Sequence, residues 1–136
     1  MSDHTRKVVE KFVHRMHSEA NEAFRMLNPD GKITILGQTE VSGTYTGPDE
    51  LFAHLTRFAD RVKVWPAYKF ADDIIVDGDR AFLRASGQAE FLYGRYVQPH
   101  YGYYMRVEGD GFAEIIEYMD PVQLELAMFG KKLVPA

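Results

Sequence analysis

The stretch AEIIEYMDP at residues 113–121 carries the pattern that decides the fold of this chain. It predicts a strand that ends near Asp120 and passes directly into a short helix. Asp120 occupies a helix N-cap position, Pro121 suits the first helical position, and Gln123 completes a capping box. Gly130 is placed to close the helix. We therefore assign Asp120 a structural role, in which its side chain satisfies free amides at the helix start.

Glu117 lies in the same strand and places an acid among apolar side chains. It shares strand parity with Ile115 and Met119, so the three side chains point to one face. A carboxyl group that is desolvated there has a raised pKa, which suits a general acid or base near neutral pH. If this face were the exposed one, Glu117 would instead be an ordinary surface residue. The strand at 115–120 is therefore where we expect the chemistry.

Upstream of this stretch, the sequence predicts two helices and then a run of long antiparallel strands. Apolar side chains at helical spacing predict a first helix over 5–27. A short strand over 32–36 and an irregular or weakly extended link over 37–45 precede a second helix, whose apolar stripe extends from Leu51 to Val62. The later strands are predicted at 69–76, 80–92, 96–107 and 112–119, with turns at 77–79 and 108–111. This order predicts a single α+β domain over 1–136, with a ligand-sized cleft between helices and sheet.

Composition narrows the range of partners and cofactors. The 136 residues suffice for one domain, and 46% of them are apolar. The net charge is -4, from 16 basic and 20 acidic residues, and no dense basic block is present, which argues against a nucleic-acid partner. The N-terminal residues are polar and then amphipathic, which argues against a leader or a membrane span and predicts a cytoplasmic protein.

The residue types that hold metals and cofactors are sparse. The sequence has no cysteine and five histidines. Of these only His14 and His17 are close together, and no acid is positioned beside them to complete a ligand set. Neither a glycine-rich phosphate loop nor a nucleophile elbow occurs. We therefore expect neither a metal nor a cofactor.

The element order, the two turns and the final strand together resemble the SnoaL-like branch of the nuclear transport factor 2-like (ketosteroid isomerase-like) superfamily. That branch typically ends with a glycine-containing turn, a strand with an acid and a closing Asp, and a short helix that ends in Gly. The corresponding residues here are Gly111, Glu117, Asp120 and Gly130. The resemblance covers essentially the whole chain. It implies a cone-shaped fold, in which a curved mixed or antiparallel sheet wraps around N-terminal helices and encloses a pocket, and it implies a homodimer.

A narrower likeness is to the phenazine-biosynthesis A/B proteins, which belong to this branch. Their Gly-x-Asp-x-Leu-x-x-His helix start is matched at 47–54, and their last-strand Glu-Phe-Met-Asn run is similar to 117–120. In that family the helix His and the strand Glu form the acid–base pair of the pocket, which implies His54 and Glu117 as catalytic residues. From the residues alone, His54 borders the apolar stripe of its helix and also fits a histidine packed at the edge of the core.

Further candidates for substrate binding lie on the penultimate strand. The family's His-aromatic pair matches His100 and Tyr101. By strand alternation, Tyr101 and Tyr103 share one face, whereas His100 and Tyr104 share the other. One pair is expected to line the pocket and the other to meet a partner subunit, and the sequence does not decide which.

Three more positions complete the predicted pocket. Trp65, together with Phe91 and Tyr93, is expected in its wall, although core packing is an alternative account of each. Ketosteroid isomerase itself is a poorer match to this chain, because its oxyanion tyrosine corresponds to Phe12 and its base falls near Gln38. We include both positions as candidates for substrate binding.

Together these observations predict a cofactor-independent acid–base enzyme of the cyclase, isomerase or condensing type, acting on a cyclic substrate with a carbonyl group. Two alternatives remain open: a non-catalytic carrier for an aromatic or polycyclic ligand, and a dimerising interaction module. The expected partners are a small hydrophobic or aromatic molecule and a second copy of the chain, with neither nucleic acid nor membrane.

Overall fold

The computed structural model describes residues 2–136. Within them, two helices come first and a run of five consecutive strands comes late, which is the segregated order of an α+β domain. The helices are α1 (Ser2–Ser18), α2 (Ala20–Phe24), α3 (Gly47–Thr56) and α4 (Pro121–Ala127). The strands are β1 (Leu27–Ile35), β2 (Gly43–Thr46), β3 (Val62–Phe70), β4 (Ile75–Asp77), β5 (Arg80–Phe91), β6 (Gly94–Glu108) and β7 (Gly111–Tyr118).

The strands form one mixed sheet in the order β2-β1-β7-β6-β5-β3, with β4 paired to β5. β1 runs parallel to β7, and the other pairings are antiparallel. The predicted α+β class is therefore confirmed, and the sheet, expected to be mixed or antiparallel, is mixed. Two boundaries differ from the prediction. The strand predicted at 32–36 is the second half of β1, and the predicted link contains β2, which pairs with that half of β1.

The predicted first helix is two helices, because the backbone leaves the helical region at Glu19, where φ is -138° and ψ is 83°. Just before this break, the Ser18 hydroxyl donates to the His14 carbonyl at 3.2 Å, which satisfies one free acceptor at the end of α1. The break places residues 18–22 beside the space between helices and sheet. The apolar stripe of α1 is buried as predicted, with Val9 and Phe12 fully inaccessible.

The second helix is shorter than its apolar stripe suggests. α3 ends at Thr56, a 3₁₀ turn spans Ala59–Arg61, and Val62 already belongs to β3. The predicted strand at 69–76 was therefore misplaced, because it joins the end of β3 to β4. The β3–β5 register slips between Val64 and Ala67, next to Pro66, which has no amide hydrogen for the ladder.

A bulge in β6 sets the direction of several aromatic side chains. Gln98 pairs with Gly87 and Tyr101 pairs with Ala85, so two residues of β6 face one residue of β5. The extra residue reverses the alternation of side chains. Tyr96 and Gln98 before the bulge are consequently buried on the same side as Tyr101 after it.

The junction between β7 and α4 confirms the structural role of Asp120. Its Oδ1 accepts a hydrogen bond from the Val122 amide at 3.0 Å, and Gly130 adopts φ +67° just after the helix. The predicted capping box with Gln123 is wrong. The Asp120 amide instead donates to Gln98 Oε1 at 3.0 Å, and Gln98 Nε2 donates to the Asp120 carbonyl at 2.7 Å.

No helix within residues 2–136 combines the length and the apolar character needed to cross a membrane.

Candidate functional site

A cavity of about 820 Å³ lies between the helices and the inner face of the sheet. Its wall is mainly apolar and draws on α2, α3, α4 and five strands. Eight aromatic side chains contribute to it: Phe24, Phe52, Phe58, Trp65, Tyr68, Phe91, Tyr96 and Tyr101. A concave, aromatic-lined space with a few polar groups is typical of a small-molecule site.

Glu117 places a carboxyl group on this wall. On β7 it lies between Ile35 of β1 and Tyr103 of β6 in the sheet register. The carboxyl group lies deep among protein atoms, and the part of the side chain that stays accessible belongs to the cavity wall. Tyr103 is fully buried, and its hydroxyl donates to Glu117 Oε2 at 2.8 Å. The sequence-based prediction of an inward Glu117 agrees with this position.

Burial raises the pKa of Glu117 from its ordinary value of 4.5 to about 7, while the hydrogen bond from Tyr103 partly opposes this rise. Desolvation penalises the charged carboxylate, whereas a donated hydrogen bond stabilises it. Near neutral pH, both forms of the carboxyl group are therefore populated. Such a group can take up a proton and also give one back.

Two tyrosine hydroxyls add hydrogen-bond donors to the wall. The hydroxyls of Tyr96 and Tyr101 lie 2.9 Å apart, and that of Tyr96 is 3.8 Å from the Met119 sulfur. Burial raises the pKa of both tyrosines, so both stay neutral at physiological pH. One hydroxyl hydrogen is used within the pair, and the other has at best a weak thioether acceptor. The second hydrogen is thus available to an oxygen atom of a ligand.

His54 lies outside the cavity wall. Its ring stacks on Tyr45 at 4.6 Å between centroids and meets the edge of Phe58 at 5.3 Å. Its Nε2 is 3.0 Å from the Glu40 carbonyl oxygen. Across residues 2–136, the side chains that form the cavity wall do not include His54. The predicted pair of His54 and Glu117 is therefore not brought together, because α3 turns Leu51, Phe52 and Leu55 toward the cavity instead.

The penultimate strand directs its predicted residues to opposite sides. Tyr101 lines the cavity, and Tyr103 is buried behind it, where it contacts Glu117. His100 is exposed at the bulge. Of the two faces that the sequence left open, the inner one therefore carries Tyr101 and Tyr103.

The remaining candidates divide between wall, core and surface. Trp65 lines the cavity while 66% of its surface stays exposed, which places it at an opening. Phe91 also lines the cavity, whereas Tyr93 is 58% exposed and packs beside Gly130. Phe12 is a core residue that contacts no open space, and Gln38 is exposed in the bend after β1. The expected ligand contacts of Phe12 and Gln38 are therefore not supported.

Tyr68 and Tyr96 are wall residues that sequence reasoning did not single out. Tyr68 lies on β3 with its ring centroid 5.7 Å from that of Tyr101. Burial raises the pKa of Tyr68 well above its ordinary value, and the nearby Glu117 charge adds to the rise. Tyr68 lies within β3, which begins at Val62, whereas the sequence predicted a strand only from residue 69. Strand alternation could not assign Tyr96 to the face of Tyr101, because the bulge between them reverses the alternation.

Among residues 2–136, no three His, Asp or Glu side chains are grouped so that they could hold a metal ion.

Comparison with known proteins gives the fold but no sequence family. No family model matches the sequence, and no curated protein matches it significantly. An NTF2-like protein of unknown function from Burkholderia pseudomallei superimposes with a TM-score of 0.77 at 15% identity, over 92% of this chain and 97% of the other.

Two further structures match over similar lengths. A proposed SnoaL-like polyketide cyclase from Jannaschia sp. CCS1 has a TM-score of 0.70 at 8% identity, over 96% of this chain and 95% of the other. A phenazine biosynthesis-related protein from Pseudomonas aeruginosa has a TM-score of 0.71 at 14% identity, over 99% and 86%. The chain therefore has the nuclear transport factor 2-like fold, as the sequence resemblance predicted.

The raised pKa of Glu117 predicts how stability depends on pH. A rise from 4.5 to about 7 corresponds to about 3 kcal/mol, which the folded state loses as the group ionises. Because the folded carboxyl group binds its proton more tightly than the unfolded one, this contribution is complete below pH 4.5 and is lost as pH rises through 7. The free energies of unfolding of the wild type and of Glu117→Gln, measured in urea, should therefore converge at low pH. Above pH 7 the wild type should be the less stable protein by up to this amount. Parallel curves would contradict a buried, titrating Glu117.

Tyr103→Phe should shift that titration upward. The Tyr103 hydrogen bond lowers the pKa of Glu117, and its loss leaves the carboxylate without this donor. We expect the midpoint of the stability titration to rise above 7 and the variant to lose about 1.5–3 kcal/mol of stability when Glu117 is ionised. Chemical denaturation across pH measures both effects. An unchanged midpoint would show that the hydrogen bond does not control this carboxyl group.

Proposed function

We propose that this protein is a cofactor-independent acid–base enzyme of the cyclase or isomerase type, acting on a cyclic substrate with a carbonyl group. The observation that carries this proposal is the Glu117 carboxyl group on an aromatic cavity wall, with a hydrogen bond from Tyr103 and a pKa of about 7. A catalytic base works best when its pKa lies near the operating pH.

The proposed reaction moves one proton. The Glu117 carboxylate takes a proton from the carbon next to the substrate carbonyl, and the C–H electron pair moves into the enolate. The developing oxyanion accepts the free hydrogen of the Tyr96–Tyr101 hydroxyl pair, which stabilises negative charge where it forms. The protonated Glu117 then returns its proton to the same or another carbon of the enolate. In a cyclisation, the enolate carbon instead forms a C–C bond to a second carbonyl of the substrate, and Glu117 gives its proton to the alkoxide that this carbonyl becomes. No redox step is involved.

The structural neighbours agree with this class of reaction. One is a proposed polyketide cyclase, and another is a phenazine biosynthesis-related protein. Both superimpose on this chain, with TM-scores of 0.70 and 0.71. They support ring-forming or proton-moving chemistry as a proposal, while the choice of Glu117 and the tyrosine pair depends on the contacts within this chain.

The direct test is exchange of solvent deuterium into a cyclic ketone. β-Tetralone has acidic protons next to its carbonyl and an aromatic ring that suits the cavity wall. The protein in deuterated buffer should accelerate loss of the α-proton signal by NMR, and the rate should rise as pH passes through 7. Heat-unfolded protein at the same concentration is the control. A rate no greater than this control, for a panel of cyclic ketones, would contradict the proposal.

A second candidate function is a non-catalytic binding protein for an aromatic ligand. The eight aromatic residues in the wall favour it, because they offer stacking surfaces without requiring any proton transfer. Trp65 is the single tryptophan and lines the cavity, so its fluorescence reports ligand binding directly. Quenching of Trp65 by an aromatic ketone that undergoes no exchange would favour this second function.

We also propose that the protein is a homodimer formed through the outer face of the sheet. This face carries a partly exposed patch of Phe82, Tyr104, Ile116 and Tyr118, with the rings of Phe82 and Tyr118 6.4 Å apart. Sedimentation equilibrium should give twice the chain mass of 15.6 kDa, and Tyr118→Glu should give monomers. Tyr93→Glu, at an exposed site away from the patch, is the matched control. A monomeric wild type would contradict the proposal.

A further inference from the structure

The charges on the cavity wall are all of one sign. Glu19, Glu22 and Glu117 line the cavity, and within residues 2–136 no Lys, Arg or His side chain does so. Three arginines lie against aromatic rings near the cavity without lining it. Arg25 stacks on Phe52, Arg57 on Phe58 and Arg61 on Phe129. Arg25 also lies 3.8 Å from an Asp49 oxygen, and Arg61 donates to the Met128 carbonyl.

We propose that this cavity selects its ligand by charge: it takes an aromatic molecule that carries no anionic group and excludes carboxylates and phosphates. This inference names the substrate class of the proposed function and rests on the same site. The substrate would present a neutral carbonyl or hydroxyl oxygen to the tyrosine pair, and any further substituents on its ring system would be uncharged or basic.

Desolvation gives the physical reason. An anion that leaves water for this space loses its hydration and finds no cation on the wall to replace it. It also meets Glu117, and two like charges close together in a medium of low polarity repel strongly. A neutral oxygen has a smaller desolvation cost and finds a donor in the Tyr96–Tyr101 pair. The aromatic faces supply the remaining contact, and such faces also attract cations.

The acidic side chains at the rim of the cavity also disfavour anions. Glu19 and Glu22 are exposed at the break between α1 and α2, beside the cavity. Arg15 donates to the Glu22 carbonyl at 3.4 Å, so the rim has one cation beside its two acids and stays net negative. A net negative mouth lowers the local concentration of anions. Exclusion of anions would therefore begin at the entrance and be completed at Glu117.

This arrangement couples anion binding to a proton. A carboxylate can enter with least repulsion when Glu117 is protonated, so its affinity should rise as pH falls through the titration of Glu117. The affinity of an uncharged ligand with the same ring system should change much less. A pocket that disfavoured the carboxylate only by shape would not show this difference between the two pH profiles.

The test uses three probes that share one ring system: naphthalene-methanol, naphthylmethylamine and naphthoate. Quenching of the single tryptophan, Trp65, measures their binding to the intact protein. At a pH above the pKa of Glu117, we expect the alcohol and the protonated amine to bind at least about tenfold more tightly than the carboxylate. A tenfold difference in affinity corresponds to a shift of one unit in the pKa of Glu117 when the carboxylate binds. At a pH below the pKa of Glu117, the gap between alcohol and carboxylate should narrow.

Glu117→Gln should show the narrow gap at every pH, whereas Glu114→Gln, on the same strand but outside the cavity wall, should keep the wild-type pH dependence of the gap. Naphthoate binding as tightly as the alcohol to the wild type would overturn the proposal, as would absence of quenching by the alcohol. The readout is binding alone. A protein that selects by charge but exchanges no protons would overturn the proposed function and leave this inference intact.

Discussion

Glu117→Gln is expected to slow the exchange of ketone α-protons with solvent by about 10²–10⁴-fold, the usual contribution of a positioned acid or base. Glutamine keeps the size of the side chain and can still accept the hydrogen bond from Tyr103. It cannot take up a proton near neutral pH. The change therefore removes proton transfer while the cavity wall keeps its shape.

Two measurements make this expectation specific. The affinity of Glu117→Gln for naphthalene-methanol, read from Trp65, should stay close to that of the wild type, because the uncharged ligand depends on the aromatic wall. Glu114→Gln should exchange protons at the wild-type rate, because Glu114 lies on β7 but not on the wall. A Glu117→Gln protein that still exchanged at the wild-type rate would exclude Glu117 as the base.

The last strand was predictable because its signals are local. The parity of Ile115 and Glu117 required only a regular strand, which β7 is at both residues, and Met119 follows directly after its end. The Asp120 cap required only the short-range chemistry of a helix start. Even here, the partner of the Asp120 amide is Gln98, 22 residues earlier in the chain, and no local pattern could name it.

The β6 strand shows where local reasoning fails. Strict alternation would separate Tyr96 from Tyr101 onto opposite faces of the sheet. The bulge between Gln98 and Tyr101 puts both on the inner face, where their hydroxyls meet. Pro99 is the only hint in the sequence, because proline inside a strand is confined to edges and bulges. The position of the register slip is decided by pairing with β5.

The predicted pairing of His54 with Glu117 is absent for a related reason. Its helical spacing correctly placed it at the border of the apolar stripe, but a border residue can turn to either side of the helix. The side is determined by β2, most of which lies in the link predicted to be irregular or weakly extended. Tyr45 of β2 stacks on the imidazole, and the Glu40 carbonyl lies within hydrogen-bond distance of its Nε2. The site therefore retains Glu117 and acquires Tyr68 and Tyr96 in the wall instead of the histidine.

Phe12→Ala is expected to lower the free energy of unfolding by about 3–5 kcal/mol, the range for loss of a buried phenylalanine ring. Phe12 is fully buried, and its ring meets four others edge to face: Phe24, Phe70, Tyr103 and Phe112. Urea denaturation measures the loss. This expectation replaces the ligand contact that the sequence suggested for Phe12, because the ring fills the space between α1 and the sheet.

A milder variant separates the two roles of Phe12. Phe12→Leu keeps most of the apolar volume, so it should fold and cost less stability than the alanine variant. If Phe12 is purely structural, Phe12→Leu should bind naphthalene-methanol with the wild-type affinity, as read from Trp65. Weakened binding in a fully folded Phe12→Leu protein would return Phe12 to the ligand site. Phe12 also packs on Tyr103, whose hydroxyl donates a hydrogen bond to Glu117. If Phe12→Leu binds normally but changes the pH dependence of proton exchange, Phe12 positions the carboxyl group through Tyr103.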